Sequence, residues 1–268
     1  MITISSRHNP FVQQCRDLAR KRDAGSGDLL LDGLHLLSDA LAAGVPVTAA
    51  AAAETFWQSP AGAPLADALA SRGALLYAAS PVVLESASPV KAPTGIVAIA
   101  RWTPAGVAEV LAAQPALVVC AVHVQDPGNT GAIIRAAEAA GATGVVTTAG
   151  SADPFGWRAL RGSMGSAFRL PVAAGAEVGA ICRGARERGL RVIATSPSGG
   201  SQLHEVDLVR AALILVGGEG SGLPGSVQAS ADALVTIPMR EPVESLNVAV
   251  AAGVILYEAY RQRQADAR

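Results

Sequence analysis

The sequence predicts an α/β fold built as two successive units with largely parallel sheets, and three observations predict it. At 268 residues the chain is long for one domain and ample for two, each with its own core. Short apolar runs alternate with helical stretches, the pattern of layered α/β folds. Between two such series lies 104–115, which carries Pro104, Gly106, several alanines and Pro115 and reads as a linker. The expected division is therefore 1–103, a linker at 104–115, and 116–268.

In the first unit, Asn9-Pro10 starts a helix over Phe11 to Arg22, with a capping side chain followed by a proline that needs no amide partner. Leu29 to Leu31 is a short strand ended by Asp32-Gly33. Leu34 to Ala43 has helical periodicity and stops at Gly44, a fitting C-terminal cap. Strands follow at Val45 to Ala51 and Ala74 to Ala78, helices at Ala63 to Ser71 and Pro81 to Ser86, and Ile96 to Ala100 closes the unit as a strand.

The second series opens with strand Leu117 to Val122, helix Gly131 to Ala140 and strand Gly144 to Thr148. Helical material through Arg158 to Phe168 precedes strand Leu170 to Ala173, helix Glu177 to Arg188 and strand Arg191 to Thr195. Leu213 to Val216 and Leu234 to Ile237 are two more strands, and Ser245 to Arg263 is a long final helix. No internal repeat is evident.

Composition narrows the function classes. The most apolar stretches, Leu41 to Ala53 and Val248 to Tyr257, fall short of the roughly 18 residues of a spanning helix, and Met1 to Asn9 is too polar for a secretory signal. A soluble, cytoplasmic protein without a membrane partner is expected. Cys15, Cys120 and Cys182 are odd in number and widely spaced, so neither a disulfide framework nor a metal site is indicated. The net charge of −1 gives no support for nucleic-acid binding, but the charge is unevenly spread. Arg7, Arg16, Arg20, Lys21 and Arg22 face Asp17 alone within 1–22, and Arg158, Arg161, Arg169, Arg183, Arg186, Arg188 and Arg191 outnumber three carboxylates within 151–191. Such clusters are either solvated helix faces or a phosphate footprint.

Three segments carry candidate chemistry, each a loop directly after an apolar strand, where ligands sit in open α/β sheets. The first is Val124-Gln125-Asp126-Pro127-Gly128-Asn129-Thr130-Gly131-Ala132-Ile133-Ile134-Arg135. Asn129 and Thr130 are natural caps for the following helix, and Arg135, amid small apolar residues, is placed to face a cleft, a phosphate or a carboxylate. The second is Gly217-Gly218-Glu219-Gly220-Ser221-Gly222-Leu223-Pro224, glycines that let a backbone approach a ligand around a single carboxylate. Gly220, Gly222 and Gly225 formally match G-x-G-x-x-G, but the next strand arrives too soon for a nucleotide-binding helix. The third is Ile237-Pro238-Met239-Arg240-Glu241-Pro242-Val243-Glu244-Ser245-Leu246-Asn247, where Ser245 reads as a helix cap and Asn247 is a poor choice for a helix interior.

In this order and spacing the three segments resemble the three motifs of the SpoU/TrmH family within the trefoil-knotted SPOUT methyltransferases, and the resemblance covers Ala116 to Arg263. Residues 1–103, with Ser5-Ser6-Arg7-His8-Asn9-Pro10 and Leu31-Asp32-Gly33, resemble the small ribosomal-protein-like α/β/α substrate-binding domain of many members; Asp32 stands where Glu is more usual.

The resemblance implies an RNA ribose 2′-O-methyltransferase that uses S-adenosylmethionine, acts on rRNA (23S rRNA favoured over tRNA), works as a homodimer and ends in a knot threaded by its last helix. By similarity Arg135, Asn129, Glu219, Ser245 and Asn247 form the catalytic set, with Arg135 as proton acceptor or as grip on a phosphate, Glu219 positioning Arg135 or neighbouring donors, and Asn129, Ser245 and Asn247 fixing the phosphate, ribose or loop geometry. The cofactor would be held by Thr195, Gly217, Gly218, Glu219, Gly220, Leu223, Ile237, Met239, Ser245 and Leu246. RNA would meet Arg7, Arg16, Arg20, Lys21, Arg22 and Arg135, with Arg158 and Arg161 on the catalytic-domain surface, and no metal is implied. Two other readings stand beside it: a non-catalytic RNA-binding relative, and a nucleotide-dependent oxidoreductase, which the failed glycine context disfavours.

Overall fold

A computed structural model describes residues 1–91, 93–220 and 222–266 and divides the chain into two units, Met1–Thr103 with Phe155–Phe168, and Pro104–Pro154 with Arg169–Arg268.

The first unit runs β1 (Ile2–Ile4), α1 (Pro10–Arg20), β2 (Asp28–Asp32), α2 (Leu34–Ala42), β3 (Val47–Ala52), α3 (Glu54–Trp57), α4 (Gly62–Ala70), β4 (Leu75–Ala79), α5 (Pro81–Ala87) and β5 (Ile96–Arg101). The Asn9 side chain accepts the Phe11 amide at 2.9 Å and Pro10 takes the first helical position, so α1 starts where its capping chemistry predicts. Its buried face, Phe11, Val12, Cys15 and Leu18, packs with Leu30, Ala51, Val97 and Ile99 of the sheet.

The strand order is β1-β4-β3-β5-β2. This sheet departs from the largely parallel expectation: β1, β4 and β3 are parallel, whereas β5 runs antiparallel to both β3 and β2. β5 thus inserts between β3 and β2 as an antiparallel strand.

The second unit runs α6 (Val107–Val110), β6 (Leu117–Val122), α7 (Pro127–Ala139), β7 (Gly144–Thr148), then, after the excursion described below, β8 (Val172–Ala176), α10 (Val178–Glu187), β9 (Arg191–Thr195), β10 (Ser201–Gln202), β11 (Ala212–Gly217), α11 (Gly225–Ala229), β12 (Ala233–Thr236) and α12 (Val248–Asp266). The order β10-β12-β9-β11-β6-β7-β8 is parallel at every pairing. Every residue of β6 is buried, as befits a central strand covered on both faces.

Two boundaries differ from the sequence reading. The expected linker at 104–115 is part of the second unit. Val110 and Leu111 are buried, the Ala105 amide donates to the Val172 carbonyl at 3.1 Å, and a Cβ on Gly144 would lie 2.6 Å from Val110. Proline and glycine marked the turns there, but the apolar residues between them fold onto the sheet.

The excursion 155–168, with α8 (Trp157–Ser163) and most of α9 (Ser166–Arg169), belongs with the first unit. Trp157 Nε1 donates to the Ala19 carbonyl at 3.0 Å, Trp102 and Phe168 stack edge to face at 5.5 Å, and Arg161 pairs with Asp32 at 3.5 Å. A continuous domain over 116–268 is thus interrupted, because aromatic residues of this segment find their partners in α1 and beyond β5.

Candidate active site

The chemistry-bearing loops all leave the carboxyl ends of parallel strands, after β6, β9, β11 and β12. After β6, the Asp126 side chain accepts the Asn129 amide at 2.7 Å and Pro127 opens α7. Asp126 is therefore the cap, and Asn129 and Thr130, expected as caps, occupy the first helical turn. That frees the Asn129 side chain to point out of the helix.

After β11, the loop folds back on its own backbone. The Gly218 amide donates to the Val122 carbonyl at 2.8 Å and the Gly222 amide to the Gly218 carbonyl at 3.2 Å. A Cβ on Gly217 would lie 2.2 Å from the Gly222 carbonyl carbon, and one on Gly218 would lie 2.1 Å from the His123 carbonyl oxygen, so only glycine fits either position. Ser221 in this loop lies outside the described residues. The short α11 that follows has five residues, too few for a nucleotide-binding βαβ unit.

After β12, residues 237–247 are irregular and α12 begins at Val248, not at Ser245. Asn247 displaces the expected Ser245 cap: its Oδ1 accepts the Ala249 amide at 2.9 Å and the Val250 amide at 3.3 Å.

These loops meet in one polar chain. Asn129 Nδ2 donates to Glu219 Oε1, and Asn247 Nδ2 donates to Asn129 Oδ1 at 3.0 Å. A carboxylate accepts only, so it fixes the Asn129 amide with nitrogen toward Glu219 and oxygen toward Asn247. Asn247 must then donate to Asn129 and turn its oxygen to the amino end of α12. The direction of every bond follows from the one carboxylate.

All ten residues expected to hold a cofactor line one cavity of about 630 Å³: Thr195, Gly217, Gly218, Glu219, Gly220, Leu223, Ile237, Met239, Ser245 and Leu246. Asn247 joins them, as do Gln228 and Glu244, which the sequence reading missed. Gln228 Nε2 donates to the Leu223 carbonyl at 2.9 Å and so braces the glycine loop. The signal for it was weak, since its short helix carries no periodicity.

Arg135 stands apart from this cluster. It is exposed on α7, six residues beyond Asn129. At 100° per residue that places it about 120° around the helix and roughly 9 Å along it. Among the described residues it has no hydrogen-bond or ion-pair partner; of the two alternatives expected for Glu219, Arg135 or a neighbouring donor, the carboxylate holds the neighbouring donor Asn129.

The other cations expected to meet RNA, Arg7, Arg16, Arg20, Lys21, Arg22, Arg158 and Arg161, all fall in the first unit. For Arg158 and Arg161 this corrects the expected catalytic-domain location, since the 155–168 excursion carries them away. Several are partly committed within the protein. Arg16 donates to the Ser86 carbonyl at 3.0 Å, Arg20 pairs with Asp17 at 2.9 Å, Arg22 donates to the Asp28 carbonyl at 3.0 Å, and Arg158 lies over the Trp157 ring at 4.9 Å. Arg7 and Lys21 are exposed.

No group of metal-ligating side chains occurs among the described residues. The three cysteines are buried and burial pushes their thiols up, which makes them poor nucleophiles. Among the described residues no helix is long and apolar enough to cross a membrane.

Comparison with known proteins adds to this geometry. The SpoU rRNA Methylase family matches residues 116–257. An uncharacterized tRNA/rRNA methyltransferase of Synechocystis is 37% identical over 264 residues, spanning 98% of this chain and 95% of that protein. The crystal structure of an AdoMet-bound rRNA methyltransferase from Sinorhizobium meliloti superposes with a TM-score of 0.86 at 30% identity, covering 97% of each chain. A structure described as an RNA 2′-O ribose methyltransferase superposes with a TM-score of 0.80 at 32% identity, covering 98% of this chain and 100% of that one.

Proposed function

The chain belongs to the SpoU rRNA methylase family, and from that premise we propose that this RNA methyltransferase uses S-adenosylmethionine to methylate a ribose 2′-hydroxyl, in rRNA rather than tRNA, in the cytoplasm. The observation that carries the reading is the Glu219–Asn129–Asn247 chain, whose two ends, Glu219 and Asn247, line a cavity formed by three separate loops.

The cavity suits the cofactor on its own terms. Its volume lies within the usual range of about 300–1,000 Å³ for small-molecule sites. Leu223, Val235, Ile237, Met239 and Ile255 offer apolar walls to an adenine, and the carboxylates of Glu219 and Glu244 favour a cationic ligand. The closely packed glycines bring backbone groups to the surface where a side chain would block them. We assign holding of the cofactor to Thr195, Gly217, Gly218, Glu219, Gly220, Leu223, Ile237, Met239, Ser245 and Leu246. When bound, S-adenosylmethionine supplies an electrophilic methyl group, so the protein's remaining tasks are alignment and charge.

The hydrogen-bonded chain sets that alignment by fixing which face of Asn129 meets the ribose and phosphate. Ser245, exposed at the cavity rim, is placed to contact the same nucleotide. An exposed guanidinium is a donor only, so Arg135 grips a phosphate and stabilises negative charge developing on the ribose oxygen. We assign further RNA contacts to Arg7, Arg16, Arg20, Lys21, Arg22, Arg158 and Arg161, a set confined to the first unit.

The separation of Arg135 from its own chain's polar cluster favours a homodimer in which a second copy completes the site. Val250, Val254 and Tyr257 form an exposed stripe on α12 at i, i+4 and i+7, next to exposed Leu246. Exposed apolar stripes of this kind mark partner surfaces. Val254→Asp is expected to convert a dimer into monomers in sedimentation and to remove activity with it; a monomeric wild type would end the shared-site reading. The same reading includes a knot threaded by α12, which the grip of that helix on distant backbone supports: Arg263 reaches carbonyls at Ala116 and Leu208.

Methyl transfer from labelled S-adenosylmethionine to total RNA tests the function, with alkaline digestion as the readout. A 2′-O-methyl group blocks cleavage at its own phosphodiester, so label is expected in alkali-resistant dinucleotides from rRNA. Label in mononucleotides would place the methyl on a base instead, and label in tRNA would overturn the rRNA assignment.

A further inference from the structure

One residue beside this site has a strained backbone whose contacts make no use of its side chain. His123, directly after β6, has φ 53°, in the left-handed region that residues with a Cβ enter at a cost. Its neighbours impose that backbone. Its amide donates to Thr148 Oγ1 at 3.0 Å, and its carbonyl oxygen sits so close over Gly218 that a Cβ there would lie 2.1 Å away. Ser151 reinforces the clasp by donating to the Ala121 carbonyl at 3.2 Å.

A glycine at 123 would make all of those backbone contacts without strain, because none of them uses the imidazole. The ring itself is exposed, has no hydrogen bond or ion pair with any described residue, and lies between the ends of β6 and β7, beside Gly150. The strained loop also leads directly to Asp126 and Asn129, and it abuts Gly218, which lines the cavity next to Glu219. Strain retained against an available relief, at a ligand-facing edge, points to a use for the side chain.

We propose that His123 is a substrate-positioning residue whose imidazole hydrogen-bonds the RNA strand entering the site, an inference that rests on the RNA methyltransferase reading above. The imidazole presents a donor beside Gly150 at the carboxyl ends of β6 and β7, the edge from which the site loops leave and where a phosphate or ribose hydroxyl flanking the target nucleotide would pass. It takes no part in holding the cofactor.

The test uses His123→Gly, His123→Asn and the wild type. The glycine variant is expected to raise the melting temperature, since strain is relieved, and yet to weaken RNA about tenfold, the worth of one charge-assisted hydrogen bond. The loss falls on KM for RNA, with kcat and S-adenosylmethionine affinity unchanged. Asn tolerates the left-handed region and keeps a donor, so His123→Asn is expected to recover most of the affinity. A more stable glycine variant with wild-type RNA affinity would overturn the proposal. RNA affinity is read directly, by filter retention of labelled total RNA, so it reports on His123 even if the wild type transfers no methyl group, which would count against the enzymatic reading alone.

Discussion

Replacing Arg135 with Ala is expected to lower methyl transfer to RNA about 10²–10³-fold, the usual worth of a group that stabilises charge developing on a reacting oxygen. The structure isolates this effect from others. Arg135 is exposed, bonds to no described residue, and does not line the cavity, so its loss leaves both the fold and the cofactor walls intact. The melting temperature and the affinity for S-adenosylmethionine, measured by calorimetry, are therefore expected to match the wild type while kcat falls. Arg135→Lys keeps the charge but loses the planar fork that engages a phosphate through two parallel bonds, and it is expected to restore only part of the rate. Equal rates for wild type and Arg135→Ala would remove Arg135 from the chemistry and require another charged group at the ribose.

Arg263→Ala is expected to destabilise the second unit by about 2 kcal/mol through lost hydrogen bonds to backbone. The Arg263 guanidinium donates to the carbonyls of Leu208 at 3.0 Å, Ala116 at 2.9 Å, Arg210 at 3.0 Å and Pro115 at 3.4 Å. These lie just before β6 and β11, so one side chain near the end of α12 ties together the roots of two central strands. Its neighbour Gln262 adds to the grip by accepting the Leu208 amide at 2.9 Å and donating to the Val206 carbonyl at 3.0 Å. Burial lowers the Arg263 pKa, as expected of a cation whose partners are carbonyls and not a carboxylate. Because the group is half-buried, water recovers some of the freed carbonyls, and the cost stays well below that of four buried bonds. For a unit of this size it corresponds to a fall of about 4–8 °C in the melting temperature. A midpoint within a degree of wild type would show that these carbonyls are as well served by solvent.

Much of the layered architecture was legible because its signals are local. The strands at 117–122, 144–148 and 191–195 fall on the residues read from apolar runs, and Asn9-Pro10 and Gly44 punctuate their helices by capping chemistry. What sequence did not carry was partner choice. Trp157 looks like any helical aromatic until its indole meets Ala19, and the antiparallel course of β5 depends on where a loop returns the chain. At the site, the three loops were readable as glycine, asparagine and carboxylate in a telling order. The competition between caps was not: Asp126 over Asn129, and Asn247 over Ser245, are decided by which side chain reaches the first free amides. Which of its two candidate partners Glu219 holds, Asn129 and not Arg135, likewise depends on helix rotation, which residue spacing alone leaves open until the helix start is known.

The order in which the cavity walls appear along the chain has a consequence for biosynthesis. Thr195 and the glycine loop at 217–223 are made early, but Leu246, Asn247, Val248, Ala251 and Ile255 belong to the last stretch before and within α12. A growing polypeptide that has completed β11 therefore owns half a pocket and none of the Asn247 linkage. Until α12 has left the ribosome the pocket lacks one wall, and chains that terminate prematurely are expected to transfer no methyl group even where their first unit still meets RNA.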